Sequence, residues 1–233
     1  MFGSTEPTDY DLQFPLFGIP VRVSIWFWLM AAILGYPAIH GGMQLLLAWI
    51  LVVFVSVLVH ELGHALVARS FGYSPRILLY QFGGLAMFEP WGNFSRGKSI
   101  TISLAGPFAG FLLYGLTDLF IVFGLPALGP SLAGLSAESQ GLIDFILGQL
   151  LYVNLYWGLI NLLPVPPLDG GRVSQDVCSI FRRDAIRMAS IIGVVVGGAF
   201  GVWMLTRGET YVAILFIMLA ISNYGVAQQR GGW

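Results

Sequence analysis

Three side chains suited to metal chemistry lie together in the sequence at His60, Glu61 and His64. Because a helix brings residues four apart onto one face, the two histidines would point the same way and could bind one metal ion. Glu61 follows the first histidine directly, where its carboxylate can accept a proton from a metal-bound water. The spacing therefore predicts half of a zinc site, with Glu61 as its general base.

The composition of the chain excludes an ordinary soluble domain. Its 233 residues are 57% hydrophobic and 10% charged, with a mean hydropathy of +0.80, whereas soluble domains carry about 25% charged residues. We therefore predict a multi-pass protein of the cell membrane, surrounded by the lipid bilayer. The net charge of −1 is uninformative about nucleic acid, but because the sequence has no basic cluster we expect no nucleic-acid partner. The single cysteine, Cys178, excludes an internal disulfide.

The apolar segments predict an all-α polytopic membrane protein with about six transmembrane helices. A bilayer core needs roughly 20 mainly apolar residues per helix. We expect the whole chain, residues 1–233, to form a single transmembrane domain, and residues 1–20 carry acidic residues rather than the basic start of a signal peptide. The predicted spans are residues 23–39, 43–68, 99–123, 141–163, 188–205 and 210–224.

Residues 75–90 differ from the predicted spans. This stretch is apolar but too short to cross a membrane, and Gly83-Gly84 interrupts it. We therefore predict a short membrane-associated β-hairpin or re-entrant segment after the second helix.

Lysines and arginines concentrate in two of the predicted loops, residues 69–98 and 172–187, and none falls in a predicted loop at residues 125–140. The positive-inside rule places the two basic loops in the cytoplasm, and with six spans both termini as well. Arg207 lies on the opposite side in this scheme. At 1.5 Å per residue, His60 lies about 13 Å inward from Arg69, so the metal site would face the cytoplasm.

A catalytic zinc normally has three protein ligands, and the chain has few candidates for the third. His40 falls in a turn on the predicted outer side, and Asp118 and Asp144 lie toward the outer ends of their helices. Asp169 lies at the cytoplasmic end of the fourth span, in a turn rich in proline and glycine. Depth in the membrane therefore favours Asp169.

Two motifs together resemble the site-2 protease (M50) family of intramembrane zinc metalloproteases. Residues 60–64 read His-Glu-Leu-Gly-His, and residues 161–171 read Asn-Leu-Leu-Pro-Val-Pro-Pro-Leu-Asp-Gly-Gly. The resemblance extends to Gly83-Gly84 and to Ala105-Gly106-Pro107. It resembles a minimal form of the family, because the stretch between the two motifs leaves no room for a PDZ domain and few residues remain after the last span for a CBS domain.

The resemblance implies an enzyme that hydrolyses peptide bonds in or near transmembrane segments of membrane-protein substrates. It implies one zinc ion held by His60, His64 and Asp169, with Glu61 as general base and Asn161 near the substrate carbonyl. It also implies that the hairpin pairs with an unwound substrate strand. The substrate-binding candidates are Gln81, Phe82, Gly83, Gly84 and Asn154.

Three alternatives stay open at this point. Asn154 could contact substrate or serve only to join two helices. The same histidines and aspartate could belong to a metal transporter, although a transporter would not need Glu61 beside His60. The chain could also be a non-catalytic relative that binds membrane helices, which an intact Glu61 argues against.

Overall fold

The computed structural model describes residues 8–92, 94–132 and 134–229. The chain divides into two compact units, one comprising Met1–Trp91 with Phe108–Gly158 and the other Gly92–Pro107 with Leu159–Trp233. The strands are β1 (Leu12–Leu16), β2 (Ile19–Val23), β3 (Arg76–Tyr80) and β4 (Gly83–Met87). The helices are α1 (Ile25–Leu34), α2 (Met43–Ser70), α3 (Arg96–Leu119), α4 (Leu125–Leu132), α5 (Ala137–Asn161), α6 (Asp169–Phe181), α7 (Ala185–Thr206) and α8 (Thr210–Gln228).

Five of these helical stretches are long and apolar enough to cross a membrane: Met43–Ser70, Arg96–Gly129, Ala137–Asn161, Ala185–Thr206 and Thr210–Gln228. They correspond to the second to sixth predicted spans. The first predicted span, residues 23–39, differs, because α1 has ten residues and is followed by a 3₁₀ helix, Tyr36–Gly41. Gly35 and Pro37 explain the change: proline removes a backbone donor, and glycine is a poor helix former.

A second difference concerns the predicted loop at residues 125–140. The α3 helix continues through a π-helical turn, Phe120–Gly124, into α4, so residues 125–132 are helical. Helix α4 contains Pro126 and Pro130. The proline and glycine content suggested a loop, but the apolar residues of this stretch continue the helix.

The predicted hairpin is part of a four-stranded sheet in the order β1-β2-β3-β4. Strands β3 and β4 pair antiparallel, with Leu79 opposite Gly84. The N-terminal β1–β2 hairpin, which we did not predict, pairs in parallel with β3 through Val21 opposite Ile77. Its turn is Phe17-Gly18, with φ of 50° and 74°, and two positive φ values in a two-residue loop suit the twist of a hairpin.

The sheet packs on the buried faces of α1 and α2. Ile19, Val21 and Val23 alternate along β2 and are at most 2% exposed, because successive residues of a strand face opposite sides. They share one hydrophobic cluster with Phe27 of α1 and with Val57, Leu58, Leu62 and Ala65 of α2. The cluster thus joins the sheet to the part of α2 that carries the histidines.

Two polar contacts fix the N-terminal hairpin at its ends. The guanidinium of Arg69, at the end of α2, donates to the carbonyl of Phe17. Asp11 pairs with Arg22 at 3.6 Å. Burial raises the pKa of Asp11, whereas hydrogen bonds from Thr8 and the charge of Arg22 lower it by more, so this pKa lies below its usual value.

In the second unit, α7 and α8 form a closely packed pair. Gly193, Gly197 and Gly201 are buried along one face of α7, and a Cβ at Gly201 would lie 3.2 Å from the carbonyl oxygen of Ala213 on α8. Small residues let two helices approach in this way when lipid provides no hydrophobic drive. The glycine series therefore serves close helix packing.

Candidate metal centre and active site

Helix α2 presents His60, Glu61 and His64 in its buried part, where they are 2%, 5% and 6% exposed. The Nε2 atoms of the two histidines lie 3.2 Å apart, and their rings are nearly perpendicular at 80°. The helix is continuous over 28 residues. Because residues four apart lie on the same face of a helix, the two imidazole rings lie next to each other.

The separation of the two nitrogens fits a shared zinc ion. Zinc–nitrogen bonds of 2.0–2.1 Å in tetrahedral geometry place two ligating nitrogens about 3.3 Å apart. The three expected ligands His60, His64 and Asp169 are all buried. Two imidazoles and a carboxylate form a donor set that zinc accepts in catalytic sites.

Gly84 of the β-hairpin lies directly against Glu61. A Cβ on this glycine would fall 2.6 Å from both Cδ and Oε1 of Glu61, a distance that real Cβ atoms do not adopt. The missing side chain therefore provides the space that the Glu61 carboxylate occupies. Gly84 was predicted as a substrate-binding residue. In the structure, the side-chain atoms nearest to it belong to Glu61.

Trp157 of α5 forms a second wall of this region, which sequence reasoning missed. Its ring centroid lies 6.5 Å from that of His60, and a Cβ on Gly83 would lie 2.9 Å from its Cζ2 atom. Gly83 also has a φ of +124°, which side-chain-bearing residues rarely adopt. Gly83 thus meets both a backbone and a packing requirement beside the first histidine.

Gln81 and Phe82, also predicted to bind substrate, form the turn between β3 and β4. The Oε1 atom of Gln81 is buried and has no hydrogen-bond partner among the described residues. The ring of Phe82 is 53% exposed and packs edge-to-face on Tyr80 at 6.0 Å. The turn therefore presents one apolar side chain outward and keeps one polar acceptor inward.

Asn154 lies on α5, is 2% exposed, and uses both hydrogens of its amide within the protein. It donates to the hydroxyl of Ser56 at 2.9 Å and to the Leu150 carbonyl at 2.8 Å. Ser56 is one helical turn before His60, so the bond fixes α5 on the histidine helix. These contacts favour the helix-joining alternative for Asn154 over direct substrate contact.

The turn that carries Asp169 follows α5 and folds tightly on itself. Asn161 ends α5 and is 9% exposed, and Asp169 begins α6 and is 7% exposed. Directly after Asp169, a Cβ on Gly170 would lie 2.6 Å from the carbonyl oxygen of Leu163, and one on Gly171 would lie 2.6 Å from Cα of Pro166. The two glycines thus allow the start of α6 to lie against the preceding turn.

Comparison with known proteins gives one family and several relatives. The profile of Peptidase family M50 matches residues 48–204. A zinc metalloprotease of Methanocaldococcus jannaschii is 29% identical over 95% of this chain, and stage IV sporulation protein FB of Bacillus subtilis is 27% identical over 91%. The solved structure of a site-2 protease from Methanocaldococcus jannaschii matches with a TM-score of 0.58 and 26% identity, covering 94% of both chains.

The chain spans only part of several relatives. It covers 61% of the length of the Methanocaldococcus jannaschii zinc metalloprotease and 67% of the sporulation protein. Relatives from Synechocystis and from Mycobacterium tuberculosis are covered over 42% and 50% of their lengths. The family profile, at residues 48–204, includes both His60–His64 and Asp169.

Proposed function

The chain belongs to peptidase family M50, and on this premise we propose that it is an intramembrane zinc metalloprotease. Its substrates would be membrane proteins, cleaved in or near their transmembrane segments. The observation that carries this proposal is the pair of buried imidazoles whose Nε2 atoms lie 3.2 Å apart, with Glu61 between them in sequence. A buried metal-binding pair in an apolar helix is costly and is seldom kept without a function.

Zinc is the metal named for the Methanocaldococcus jannaschii relative, and the donor set of this chain suits it. We assign one ion per chain to His60, His64 and Asp169, an assignment supported by the burial of all three side chains and by their suitability as zinc ligands. When bound, zinc would lower the pKa of a water to about 7 and polarise a carbonyl. The burial of all three residues would keep bulk water from competing with the substrate.

Glu61 and Asn161 supply the remaining chemistry in this proposal. The Glu61 carboxylate, held against Gly84, would accept the proton of the attacking water and pass it to the leaving amine. The Asn161 amide would donate a hydrogen bond to the oxygen of the scissile carbonyl as negative charge develops there. Loss of one such donor costs about 10²–10³ in kcat in other hydrolases.

The β-hairpin is the proposed site of substrate binding. A transmembrane helix hides its peptide bonds, so a substrate must unwind before it can be cleaved. Strand β4 lies at the end of the sheet order, and an unwound segment could add to it through main-chain hydrogen bonds. Gly84 belongs to this strand and contacts Glu61, which supports a strand passing close to the general base.

Substitution of Glu61 by Gln tests the proposal. The amide keeps the shape of the side chain but cannot accept a proton, so zinc should stay bound while cleavage falls by about 10²–10⁴-fold. The measurements are zinc content of the purified protein by mass spectrometry and cleavage of a co-reconstituted transmembrane substrate. Glu209→Gln, the same change at an exposed carboxylate, should leave both unchanged.

The same experiment separates the rival functions. Normal cleavage in Glu61→Gln would contradict the proposed mechanism. Zinc flux into proteoliposomes that is unaffected by Glu61→Gln would indicate a transporter. Absence of cleavage in the unmodified protein, with the substrate helix still bound, would indicate a non-catalytic relative.

A further inference from the structure

Asn223, near the end of the chain, donates a hydrogen bond to the turn that carries Asp169. Its amide nitrogen lies 2.6 Å from the carbonyl oxygen of Pro166 and 2.9 Å from that of Leu219 on its own helix. The residue is 4% exposed. A buried asparagine in a membrane helix is costly unless its amide is satisfied, so both contacts matter for where the side chain lies.

The turn between α5 and α6 has few N–H groups of its own, so its carbonyl oxygens need hydrogen-bond donors from elsewhere in the protein. It contains Pro164, Pro166 and Pro167, and proline has no N–H group to give. Non-helical backbone at membrane depth is stable only where protein groups satisfy its carbonyls. Asn223 does this for Pro166.

Helix α7 is shaped to let Asn223 reach the turn. A Cβ on Gly193 would lie 3.0 Å both from Cγ of Asn223 and from Cδ of Pro166. One turn further along, a Cβ on Gly197 would lie 3.4 Å from a methyl group of Val165, which is itself fully buried. Two of the α7 glycines therefore border the proline turn as well as α8.

The contact continues from Pro166 to the proposed metal ligand. Gly171 packs directly on Pro166, and Asp169 lies only two residues before Gly171, in the first turn of the same helix. A shift of Pro166 would therefore move the start of α6, because close-packed backbone cannot absorb the change locally.

We propose that Asn223 is a positioning residue that holds the Pro166 turn and, through it, the Asp169 carboxylate in zinc-binding geometry. This inference rests on the proposed role of Asp169 as a ligand. It assigns α7 and α8 to the support of the metal centre, although neither helix supplies a ligand. Groups that orient metal ligands typically change metal affinity by about 10–100-fold when removed.

The test measures zinc affinity rather than activity. Asn223→Leu keeps a side chain of similar size but removes the donor, and Gly193→Ala inserts a methyl group between Asn223 and Pro166. In purified protein, at a temperature where the zinc-free form stays folded, both variants should bind zinc about 10–100-fold more weakly in chelator competition. Gly198→Ala and Gly225→Ala, on the same two helices with open space at Cβ, should match the unmodified protein.

A double substitution distinguishes positioning from general destabilisation. If Asn223 acts through Asp169, Asn223→Leu should not weaken the residual zinc binding of Asp169→Ala any further. An additional loss of the same size would overturn the inference, as would unchanged zinc affinity in Asn223→Leu. If Asn223→Leu does not fold, Gly193→Ala decides in the same way. Unchanged zinc affinity in Asp169→Ala alone would instead contradict the ligand assignment in the proposed function.

Discussion

At the scale of single residues, Glu61 and Gly84 form one functional pair. The carboxylate occupies the volume that any side chain at Gly84 would need. Position 84 lies in a strand, and its φ is not in the left-handed region, so alanine would fit the backbone. The requirement for glycine at this position therefore comes from Glu61 and not from the strand.

Gly84→Ala should therefore disturb Glu61 rather than the strand. The flexible Glu61 side chain should move aside, leaving the sheet intact but the general base displaced. Cleavage should fall by about 10²-fold or more while zinc content stays at one ion per chain. Gly115→Ala, with nothing within 4 Å of its Cβ, is the matched control. Full activity in Gly84→Ala would show that Glu61 need not occupy its present position.

The helical half of the proposed metal centre could be predicted because its spacing is local. His60, Glu61 and His64 lie within five consecutive residues of one helix. Trp157, Ser56 and Asn223 were not predicted, because each acts through a contact distant in sequence: Asn223 and Pro166 are 57 positions apart. A polar or aromatic side chain in an apolar helix indicates that the residue has a specific contact, but the sequence does not indicate which residue it contacts.

At the scale of elements, the N-terminal hairpin is the main feature that sequence reasoning missed. Its second strand, β2, alternates the buried residues Ile19, Val21 and Val23 with exposed or half-buried residues. This pattern is typical of a strand. Pro15 and Pro20 obscured this pattern. The two prolines are opposite each other, and β3 pairs only with residues 21–23, so Pro20 lies outside that ladder and is tolerated.

Val21→Pro should therefore break the sheet. Val21 pairs with Phe14 on one side and Ile77 on the other, and proline cannot donate to a ladder. Loss of a buried hydrogen bond costs about 1–3 kcal/mol, which corresponds to roughly 10–100-fold faster opening. Hydrogen exchange of the β3 amides measures this effect. Gln13→Ala, at an exposed position of the edge strand, should leave exchange unchanged, and unchanged exchange in Val21→Pro would contradict the pairing.

At the scale of the whole chain, the sheet bears on how often the polypeptide crosses the membrane. The Phe17 carbonyl contacts Arg69 at the C-terminal end of α2, whereas residue 43 begins that helix. Residues 24–42 must therefore return along α2, which is about 42 Å long. Helix α1 and the following 3₁₀ helix supply about 27 Å of helical rise, close to the roughly 30 Å thickness of a bilayer core.

We therefore expect six crossings, five by long helices and one by residues 24–42, with both ends of the chain in the cytoplasm beside the arginine-rich segments. Single cysteines in a Cys178→Ser background test this arrangement. Ser136→Cys should react with a membrane-impermeant maleimide in intact cells, whereas Ser95→Cys should react only after permeabilisation. Both serines are exposed and precede helices, so the two sites are comparable. Labelling of Ser95→Cys in intact cells would show that the orientation is the opposite of the expected one. Reporter proteins fused to the two ends of the chain would lie on opposite sides of the membrane if residues 24–42 do not cross.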